Sequence, residues 1–359
     1  MRRGLSSKKN RNCLKMNDAI DVDKLKIGVV GAGSWGTALA NLLALKGFKI
    51  DHWVFETEVK QQMETHQENR MFLPGFILSE NLVPTNDMQA VVSDKDIVLI
   101  VVPSHVMRTT TEKMAAYLNP DTLLVSASKG IENETYLTMT GILAQTLPAI
   151  AARNLAVLTG PSFAKEVAQK VPTVVTAAAA DLSVAEQVQA VFSSPYFRVY
   201  TSNDVIGAEL GGAVKNVIAI AAGIIDGLGL GLNTRAALIT RGLAEIRRLG
   251  LKLGAKFNTF AGPSGVGDLI LTCTGDLSRN HTVGKKIGQG STLKQILDEM
   301  HMVAEGVKTA KSVYNLSRKL DVEMPISHGI YGILYDELNP MEVLEQLMTR
   351  DLKPELDVN

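Results

Sequence analysis

Short apolar runs rich in β-branched residues alternate with amphipathic stretches between Lys24 and about Thr201. Apolar runs of this kind predict strands, which we place at "KIGVVG", "KIDHWVF", "DIVLIVV", "TLLVSAS", "LAVLTG", "TVVTAA" and "FRVYT". The stretches between several of them predict helices, among them "WGTALANLLALKG", "VMRTTTEKMAAYL" and "SVAEQVQAVFSS". Repeated β-α-β units predict a doubly wound, largely parallel sheet of the Rossmann type.

The pattern changes after Asp204. From there to about Met348, long helical stretches are separated by Gly-rich breaks, and no run is typical of a strand. Nearly every position from Val205 to Ile225 is apolar or small, which predicts one helix that is buried on most sides.

We therefore expect an α/β protein in which a Rossmann-type sheet domain is followed by an all-α domain. The nucleotide-binding domain is predicted over residues 25–202, and the all-α domain, with substrate and catalytic groups, over residues 203–350. The remaining residues are predicted to be tails, a disordered one over residues 1–24 and a short one over residues 351–359.

Composition narrows the class of protein. A chain of 359 residues fits two domains, and equal numbers of basic and acidic residues, 37 each, give no sign of a nucleic-acid partner. No apolar run reaches the roughly 18 residues of a membrane span. Two cysteines, Cys13 and Cys273, fit a reducing compartment, and the basic start lacks the apolar stretch of a secretory signal. We expect a cytoplasmic protein. An organelle-targeting peptide, or initiation at Met16, is the alternative reading of the start.

The segment "KIGVVGAGSWG" places Gly31, Gly33 and Gly36 in the G-x-G-x-x-G spacing directly between a strand and a helix. In this context the first glycine permits a tight turn, the second lets a pyrophosphate approach the backbone, and the third lets helix and strand pack closely. The alternative is a glycine turn without a ligand. A second glycine-rich segment, "GPSGVG" at 262–267, has the wrong spacing and is interpreted as a loop.

Glu56 follows the second predicted strand, at the position where a carboxylate holds the adenosine ribose of a bound dinucleotide. A carboxylate there would repel a 2′-phosphate, which favours NAD over NADP. The alternative is that Glu56 is an exposed residue at the start of a helix.

Lys215 lies in the middle of the apolar helix, in "GGAVKNV". Burial favours the neutral form of a lysine, and a lysine tuned in this way can act as a general acid or base near neutral pH. The alternative is a lysine that reaches the surface or pairs with a carboxylate. We prefer the functional reading because the neighbours are apolar or small on all faces. Asn216 either orients the lysine or is a buried amide.

A candidate anion site lies in "LSRNHTVG". Ser278 can cap a helix whose first residues are Arg279 and Asn280, so that a guanidinium, an amide and free backbone N–H groups surround one helix start. Such a place suits a phosphate. An exposed arginine beside an ordinary cap is the equal alternative.

Three further residues stand at places where ligands gather in open α/β folds, and Asp268 is a fourth candidate in the helical part of the chain. Lys129 and the pair Gly160 and Ser162 follow predicted strands at the carboxyl edge of the sheet, with an ordinary loop as the alternative. Asp268, in "GVGDLILTC", could orient the lysine or accept a substrate hydroxyl, or could be a helix cap. The six histidines show no metal-ligand spacing, so we expect no metal, and His105 is interpreted as a helix-start residue.

Taken together, the motifs resemble one family. The segments "GAGSWGTALA", "KGIE", "GPSFAKE", "GGAVKNVIAI", "GDLILTCTGDLSRN" and "VAEGVKT" occur in the order typical of NAD(P)-dependent glycerol-3-phosphate dehydrogenases, most closely the soluble bacterial type. The resemblance covers about Lys26 to Tyr335. It implies hydride exchange between sn-glycerol 3-phosphate and dihydroxyacetone phosphate, which supplies phospholipid synthesis.

The resemblance also implies roles for individual residues. Lys215 would exchange the proton of the C2 hydroxyl, with Asp268 supporting it and Lys129 near substrate and cofactor. The substrate pocket would be completed by Gly160 and Ser162, and the phosphate would be held by Ser278, Arg279 and Asn280.

On the cofactor side, the resemblance adds a further set of residues: Ser34, Trp35, Lys129, Ala164, Arg279, Val303 and Glu305. One departure matters, because Phe55 stands where this family often carries a basic residue, and a phenylalanine cannot pair with a 2′-phosphate. NAD is therefore the expected cofactor, with NADP left open.

Two rival functions remain at this stage. One is a β-hydroxyacid or phosphogluconate dehydrogenase of the same architecture, against which "GDLILTC" and "SRN" argue. The other is a nucleotide-sensing protein without catalysis, against which Lys215, Asp268 and Arg279 argue. Apolar helices in the second domain lead us to expect a homodimer.

Overall fold

The structure, a computed structural model, describes residue 22 and residues 24–300, 304–352, 354 and 355. Most of the predicted first tail and Val303 lie outside the described residues.

One sheet of eight strands organises the first half of the chain, in the order β3-β2-β1-β4-β5-β6-β7-β8. All neighbouring strands are parallel except β6 and β7. The direction of strand order reverses between β1 and β4, which is the switch point where open α/β sheets bind ligands. The strands are β1 Ile27–Val30, β2 Ile50–Trp53, β3 Leu82–Thr85, β4 Ile97–Ile100, β5 Leu123–Ser126, β6 Leu155–Thr159, β7 Thr173–Ala179 and β8 Phe197–Ser202.

The seven strands expected from the sequence are confirmed, and β3 was missed. Its four residues "LVPT" include Pro84, which cannot donate to a neighbouring strand. β3 is the edge strand beside β2, where one side needs no partner and a proline is tolerated. A short edge strand with a proline leaves little apolar pattern to read.

Helices cover the sheet and form the rest of the molecule; no strand occurs among the described residues after Ser202. Those before Ser202 are α1 Ser34–Leu45, α2 Thr57–His66, α3 Met88–Val92, α4 Met107–Met114, α5 Met139–Thr146, α6 Ala164–Ala168 and α7 Leu182–Phe192. Those after it are α8 Val205–Gly227, α9 Gly231–Lys252, α10 Asp268–Thr274, α11 Arg279–Gly288, α12 Leu293–Glu299, α13 Glu305–Leu320, α14 Pro325–Tyr335 and α15 Pro340–Met348.

α8 is the central helix of the second half, as its apolar sequence predicts. Every residue from Gly207 to Ile225 is buried, and α9, α10, α11 and α13 pack around it. Our expectation that no run is long enough for a membrane span is wrong for α8, which by length and composition could cross a membrane, but the apolar stretch of α8 is buried within this fold. A Cβ at Gly284 of α11 would overlap the Ile220 carbonyl, so glycine is what lets α11 approach α8 closely.

Residues Pro263–Gly267 form one turn of π-helix directly before α10, so our interpretation of "GPSGVG" as a loop is wrong. Backbone segments lie close together on both sides of this turn. A Cβ at Gly265 would overlap the Phe260 backbone, and one at Gly211 of α8 would overlap the Ser264 carbonyl. The turn therefore seats the start of α10 against α8.

The chain passes from the sheet to the helical part between the end of β8 at Ser202 and the start of α8 at Val205. We keep residues 25–202 and 203–350 as proposed domains.

Candidate active site

The three glycines of the β1–α1 connection have three different environments. Gly31 has a φ of +111°, and a Cβ there would overlap the Val101 carbonyl. A Cβ at Gly36 would overlap the carbonyl oxygen of Gly31, so this glycine holds α1 against the turn. In the part of the chain that the structure describes, no atom beyond the neighbouring residues and the backbone of α1 lies within 4 Å of a Cβ placed on Gly33. We call residues 31–36 the glycine loop; its middle glycine faces open space and the outer two are required by packing.

The start of α1 offers backbone donors without a side-chain cap next to that open space. Gly33 occupies the N-cap position and has no side chain, so the first N–H groups of α1 receive no side-chain cap. The indole Nε1 of Trp35 is buried and has no hydrogen-bond partner among the described residues. A dinucleotide pyrophosphate fits this place, since it brings acceptors to a helix start. Ser34 begins the helix.

The end of β2 carries the two residues expected to choose the coenzyme. Phe55 is 70% exposed and lies against the ring of Trp53, with 5.9 Å between centroids. Glu56 occupies the N-cap position of α2, but its side chain makes no capping hydrogen bond. Glu56 therefore stands at the start of a helix, as the alternative interpretation has it, and its role at the adenosine ribose stays a prediction.

Lys215 on α8 and Asp268 at the start of α10 form a buried ion pair, with relative exposures of 6% and 1%. The Lys215 ammonium also donates to the Thr272 hydroxyl at 2.7 Å. The second oxygen of Asp268 accepts from the Lys129 ammonium at 2.7 Å. We call Lys129, Lys215, Asp268 and Thr272 the charged cluster.

The cluster tunes Lys215 for proton exchange. Burial is the largest influence and lowers the pKa of Lys215 to about 7; the Asp268 charge opposes this and the Lys129 charge adds to it. Two ammonium groups share one carboxylate, so loss of the Lys215 proton leaves the three groups without net charge. A group that titrates near neutrality can both accept and donate a proton in that range.

Two alternatives left open by the sequence are resolved here. Lys215 does pair with a carboxylate, and its pKa is shifted as well. Asp268 is not a cap, because Gly267 precedes α10 and the Asp268 side chain bonds two lysines. Thr272 was missed, although its spacing of four residues from Asp268 puts both on one helix face.

Lys129 reaches the cluster from the end of β5, and its ammonium also donates to the Gly160 carbonyl at 3.1 Å. Gly160 follows β6 with a φ of +146°, and the Ser162 hydroxyl donates to the same carbonyl at 3.0 Å. Ala164 begins α6 in the same connection. The Thr159 hydroxyl, which was also missed, is buried there without a hydrogen-bond partner among the described residues. The connections that follow β5 and β6 therefore bring Lys129, Gly160 and Ser162 to the charged cluster.

The expected cap at the start of α11 is confirmed, because the Ser278 hydroxyl accepts from the His281 N–H at 3.2 Å. The Asn280 amide donates to Asn216 at 2.9 Å, and its oxygen accepts from the Gly306 N–H at 2.9 Å. Asn216 is therefore a buried amide that orients Asn280 and not Lys215. The Asn280 amide has a second hydrogen besides the one donated to Asn216, and the backbone N–H of Asn280 lies in the first turn of α11.

Arg279 reaches solvent although protein surrounds much of its side chain. Burial lowers the pKa of its guanidinium, and the Glu305 charge opposes this. Glu305 begins α13 and accepts from the backbone and hydroxyl of Ser104, just after β4. Burial raises the pKa of Glu305. His105 lies in the short 3-10 turn Ser104–Val106 before α4, consistent with a helix-start residue.

Two family models match the chain on either side of the change from sheet to helices. The N-terminal model of NAD-dependent glycerol-3-phosphate dehydrogenase matches residues 26–185, and the C-terminal model of the same enzyme matches residues 204–345. The chain belongs to this family.

Individual members of the family are similar over nearly the whole chain. A glycerol-3-phosphate dehydrogenase (NAD(P)+) of Geobacter metallireducens is 56% identical over 330 residues, which cover 92% of this chain and 98% of the relative. The crystal structure of the Coxiella burnetii glycerol-3-phosphate dehydrogenase has a TM-score of 0.86 at 37% identity, over 90% of this chain and 98% of that one. The motif resemblance and the predicted fold class are thereby confirmed.

The fold extends beyond glycerol-3-phosphate dehydrogenases. D-mandelate dehydrogenase, solved with NADH and anilino(oxo)acetate, has a TM-score of 0.59 at 14% identity, over 89% of this chain and 100% of that one. At this identity only the fold is shared. Membership of the glycerol-3-phosphate dehydrogenase family therefore rests on the sequence identities and the family models, and not on the fold.

Proposed function

We propose that the chain interconverts sn-glycerol 3-phosphate and dihydroxyacetone phosphate with NAD(P)+ and NAD(P)H, and so supplies glycerol 3-phosphate for phospholipid synthesis. The observation that carries the proposal is the buried Lys215, with a pKa of about 7, held by Asp268 beyond the strand ends. Membership of the glycerol-3-phosphate dehydrogenase family supports the reaction and the cofactor class.

A nicotinamide coenzyme held by the glycine loop would supply the hydride chemistry at C2 of the substrate. Lys215 is the proton partner: as an amine it takes the proton of the C2 hydroxyl during oxidation, and as an ammonium it returns that proton to the ketone oxygen during reduction. Asp268 holds Lys215 and Lys129 in place, and Thr272 fixes the direction of the Lys215 amine.

The phosphate of the substrate binds at the start of α11 in this proposal. Arg279 supplies the charge, and the first N–H groups of the helix and the Asn280 amide supply directed donors. Ser278 shapes this helix start through its cap. Lys129, Gly160 and Ser162 line the path between the phosphate and the reacting carbon.

For the coenzyme, the pyrophosphate lies on the glycine loop, and Glu56 binds the adenosine ribose beside Phe55. We propose NAD as the preferred coenzyme, because neither residue can neutralise a 2′-phosphate. The remaining coenzyme contacts follow the family resemblance and are Ser34, Trp35, Lys129, Ala164, Arg279, Val303 and Glu305.

We further propose that the enzyme works in the cytoplasm as a homodimer, with a phosphorylated small molecule and no nucleic acid as its partner. The two cysteines and the balanced charge support the first and last points. The dimer follows from the apolar character of the helices after Asp204, and because α8 is enclosed within this fold, the interface would be formed by the other helices.

The test is the oxidation of NADH, and separately of NADPH, with dihydroxyacetone phosphate, followed by the loss of reduced-coenzyme absorbance. Unphosphorylated dihydroxyacetone is the control. Turnover only with the phosphorylated ketone, and faster with NADH, is the expected result. Folded protein that binds NADH but turns over neither ketone would return the case to another dehydrogenase or to a nucleotide sensor.

A further inference from the structure

Buried polar side chains lie behind the glycine loop, on the side away from its open glycine. His52 on β2 has no exposed surface, and its Nε2 lies 3.0 Å from the carbonyl oxygen of Gly31. Asn69, after α2, is equally buried, and its amide donates to the Ala32 carbonyl at 2.8 Å. Two consecutive carbonyl groups of the loop are therefore held by side chains.

The protonation of His52 follows from its partner. A carbonyl oxygen can only accept, so Nε2 carries the proton. Burial lowers the pKa of His52 to about 4, so the ring is neutral under ordinary conditions. Nδ1 is then an acceptor, and it has no hydrogen-bond partner among the described residues. His52 is thus a neutral single-proton donor to Gly31.

Asn69 is fixed more firmly, by three hydrogen bonds. Besides its bond to Ala32, its amide donates to the Thr37 hydroxyl at 2.9 Å, and its oxygen accepts from the Phe72 N–H at 3.0 Å. The Thr37 hydroxyl in turn donates to the Ala32 carbonyl at 3.2 Å. The Ala32 carbonyl therefore has two donors that hold each other in position.

The planar trans peptide links these carbonyls to the coenzyme side. Within one peptide unit the C=O and the following N–H point in opposite directions. Carbonyls of Gly31 and Ala32 held toward the protein interior therefore direct the N–H groups of Ala32 and Gly33 away from it. The open space at Gly33 lies where those donors are needed.

We infer that His52 and Asn69 are positioning residues for the coenzyme, which hold the glycine loop in the one backbone arrangement that presents its N–H groups to a pyrophosphate. This rests on the coenzyme part of the proposed function. Both side chains are fully buried, so they act through the loop and do not touch the coenzyme. If the loop samples other arrangements, the apparent affinity falls in proportion to the competent fraction.

A matched pair of variants at His52 tests this. His52→Gln keeps an amide donor near the Nε2 position, whereas His52→Met fills a similar volume without a donor. The dissociation constant of NADH, measured by calorimetry without substrate, should rise about tenfold in His52→Met and stay within about twofold of wild type in His52→Gln. Asn69→Leu should weaken NADH binding at least as much.

A second readout needs no coenzyme. In the coenzyme-free protein, amide hydrogen exchange at Ala32 and Gly33 should be faster in His52→Met than in His52→Gln. At saturating NADH, kcat and the KM for dihydroxyacetone phosphate should match wild type. Thr111→Val is the control, because Thr111 is a buried hydroxyl in α4 bonded to the Met107 carbonyl, away from the loop. It should lower Tm and leave NADH affinity unchanged.

The outcomes separate cleanly. If His52→Met and Asn69→Leu lower Tm as Thr111→Val does while NADH affinity and loop exchange stay at wild-type values, the two residues are merely structural and the inference is overturned. Wild-type protein that binds no NADH overturns it as well. Wild-type protein that binds NADH but does not reduce dihydroxyacetone phosphate refutes the proposed function, while the variant affinities still decide the role of His52 and Asn69. Should His52→Met not fold, Asn69→Leu decides.

Discussion

The glycine loop presents bare backbone at the end of β1, whereas the charged cluster presents two ammonium groups and a carboxylate beyond the ends of β5 and β6. In the loop, Gly31 and Gly36 leave no room for a Cβ, and Gly33 leaves open space. In the cluster, Lys215 and Asp268 are buried charges that form an ion pair, and Lys129 forms a second ion pair with Asp268. The glycine loop functions because its glycines have no side chains, whereas the charged cluster functions through the charges of its side chains.

This difference determines how each region responds to mutation. Adding a single carbon atom to the loop displaces backbone or blocks the ligand, and electrostatics hardly matters. Removing a single charge from the cluster alters the pKa of the remaining groups. Mutations in the glycine loop should therefore affect coenzyme binding, and mutations in the charged cluster should affect proton transfer.

The largest expected effect is the loss of the proton partner. Lys215→Met should lower kcat by about 10²–10⁴, because general acid–base catalysis is lost, while NADH affinity stays near wild type. The measurement is steady-state turnover together with calorimetric binding of NADH. Lys46→Met is a matched control: burial lowers the pKa of Lys46 to about 8, but its ammonium bonds the end of α7 at the Ser193 carbonyl. Lys46→Met should cost stability only. Wild-type turnover in Lys215→Met would remove Lys215 from the mechanism.

The proposed phosphate site at the start of α11 combines a side-chain charge, that of Arg279, with backbone N–H donors. Arg279→Ala should lower kcat/KM for dihydroxyacetone phosphate. The lost transition-state stabilisation should be about 2–5 kcal/mol, because the phosphate and the guanidinium form a desolvated pair in the proposed site. Lys286→Ala on the same helix is the control, because Lys286 is engaged by Glu299 at the surface. Equal kinetics for Arg279→Ala and Lys286→Ala would place the phosphate elsewhere.

The glycine loop was predictable from the sequence because its requirements are local. Three glycines at fixed spacing between a strand and a helix are enough to assign the three environments that the structure contains. The long apolar α8 was predictable for the same reason, since periodicity is a local signal. β3 was not, because a four-residue edge strand with Pro84 carries almost no pattern.

The charged cluster was only half predictable. The burial of Lys215 followed from its apolar neighbours, and Asp268, 53 residues away along the chain, was expected as a residue that could orient it. Thr272, 57 residues away and on the same helix as Asp268, was missed. The bond between Asn216 and Asn280 is of the same kind. Such pairs depend on how helices pack against one another, which spacing within one helix does not encode.

Two alanine substitutions in the glycine loop should separate packing from ligand approach. Gly36→Ala puts a Cβ onto the Gly31 carbonyl and should lower the free energy of unfolding by about 1–3 kcal/mol, with loss of coenzyme binding. Gly33→Ala meets no atom and should leave Tm unchanged while it weakens NADH binding about tenfold, by steric exclusion of the pyrophosphate. Thermal melts and NADH titrations measure both. Unchanged NADH affinity in Gly33→Ala would argue that the pyrophosphate lies elsewhere.

The smallest expected effect is a shift of the pH profile, and the direction of that shift identifies the charge that causes it. Oxidation of glycerol 3-phosphate requires the amine form of Lys215, so kcat/KM should rise with pH through about 7. The Lys129 charge lowers the pKa of Lys215, so Lys129→Gln should move this rise to higher pH. The Asp268 charge raises that pKa, so Asp268→Asn should move it to lower pH, each by about one pH unit.

Both substitutions will also reduce the rate, since both residues lie beside the substrate in the proposed site, and a lower rate alone does not tell an electrostatic role from a structural one. The direction of the shift does. Damage to the shape of the site would lower the rate without moving the profiles in opposite directions, whereas a charge acting on the Lys215 ammonium must move them according to its own sign. Profiles that shift the same way in both variants would mean that the observed titration belongs to another group.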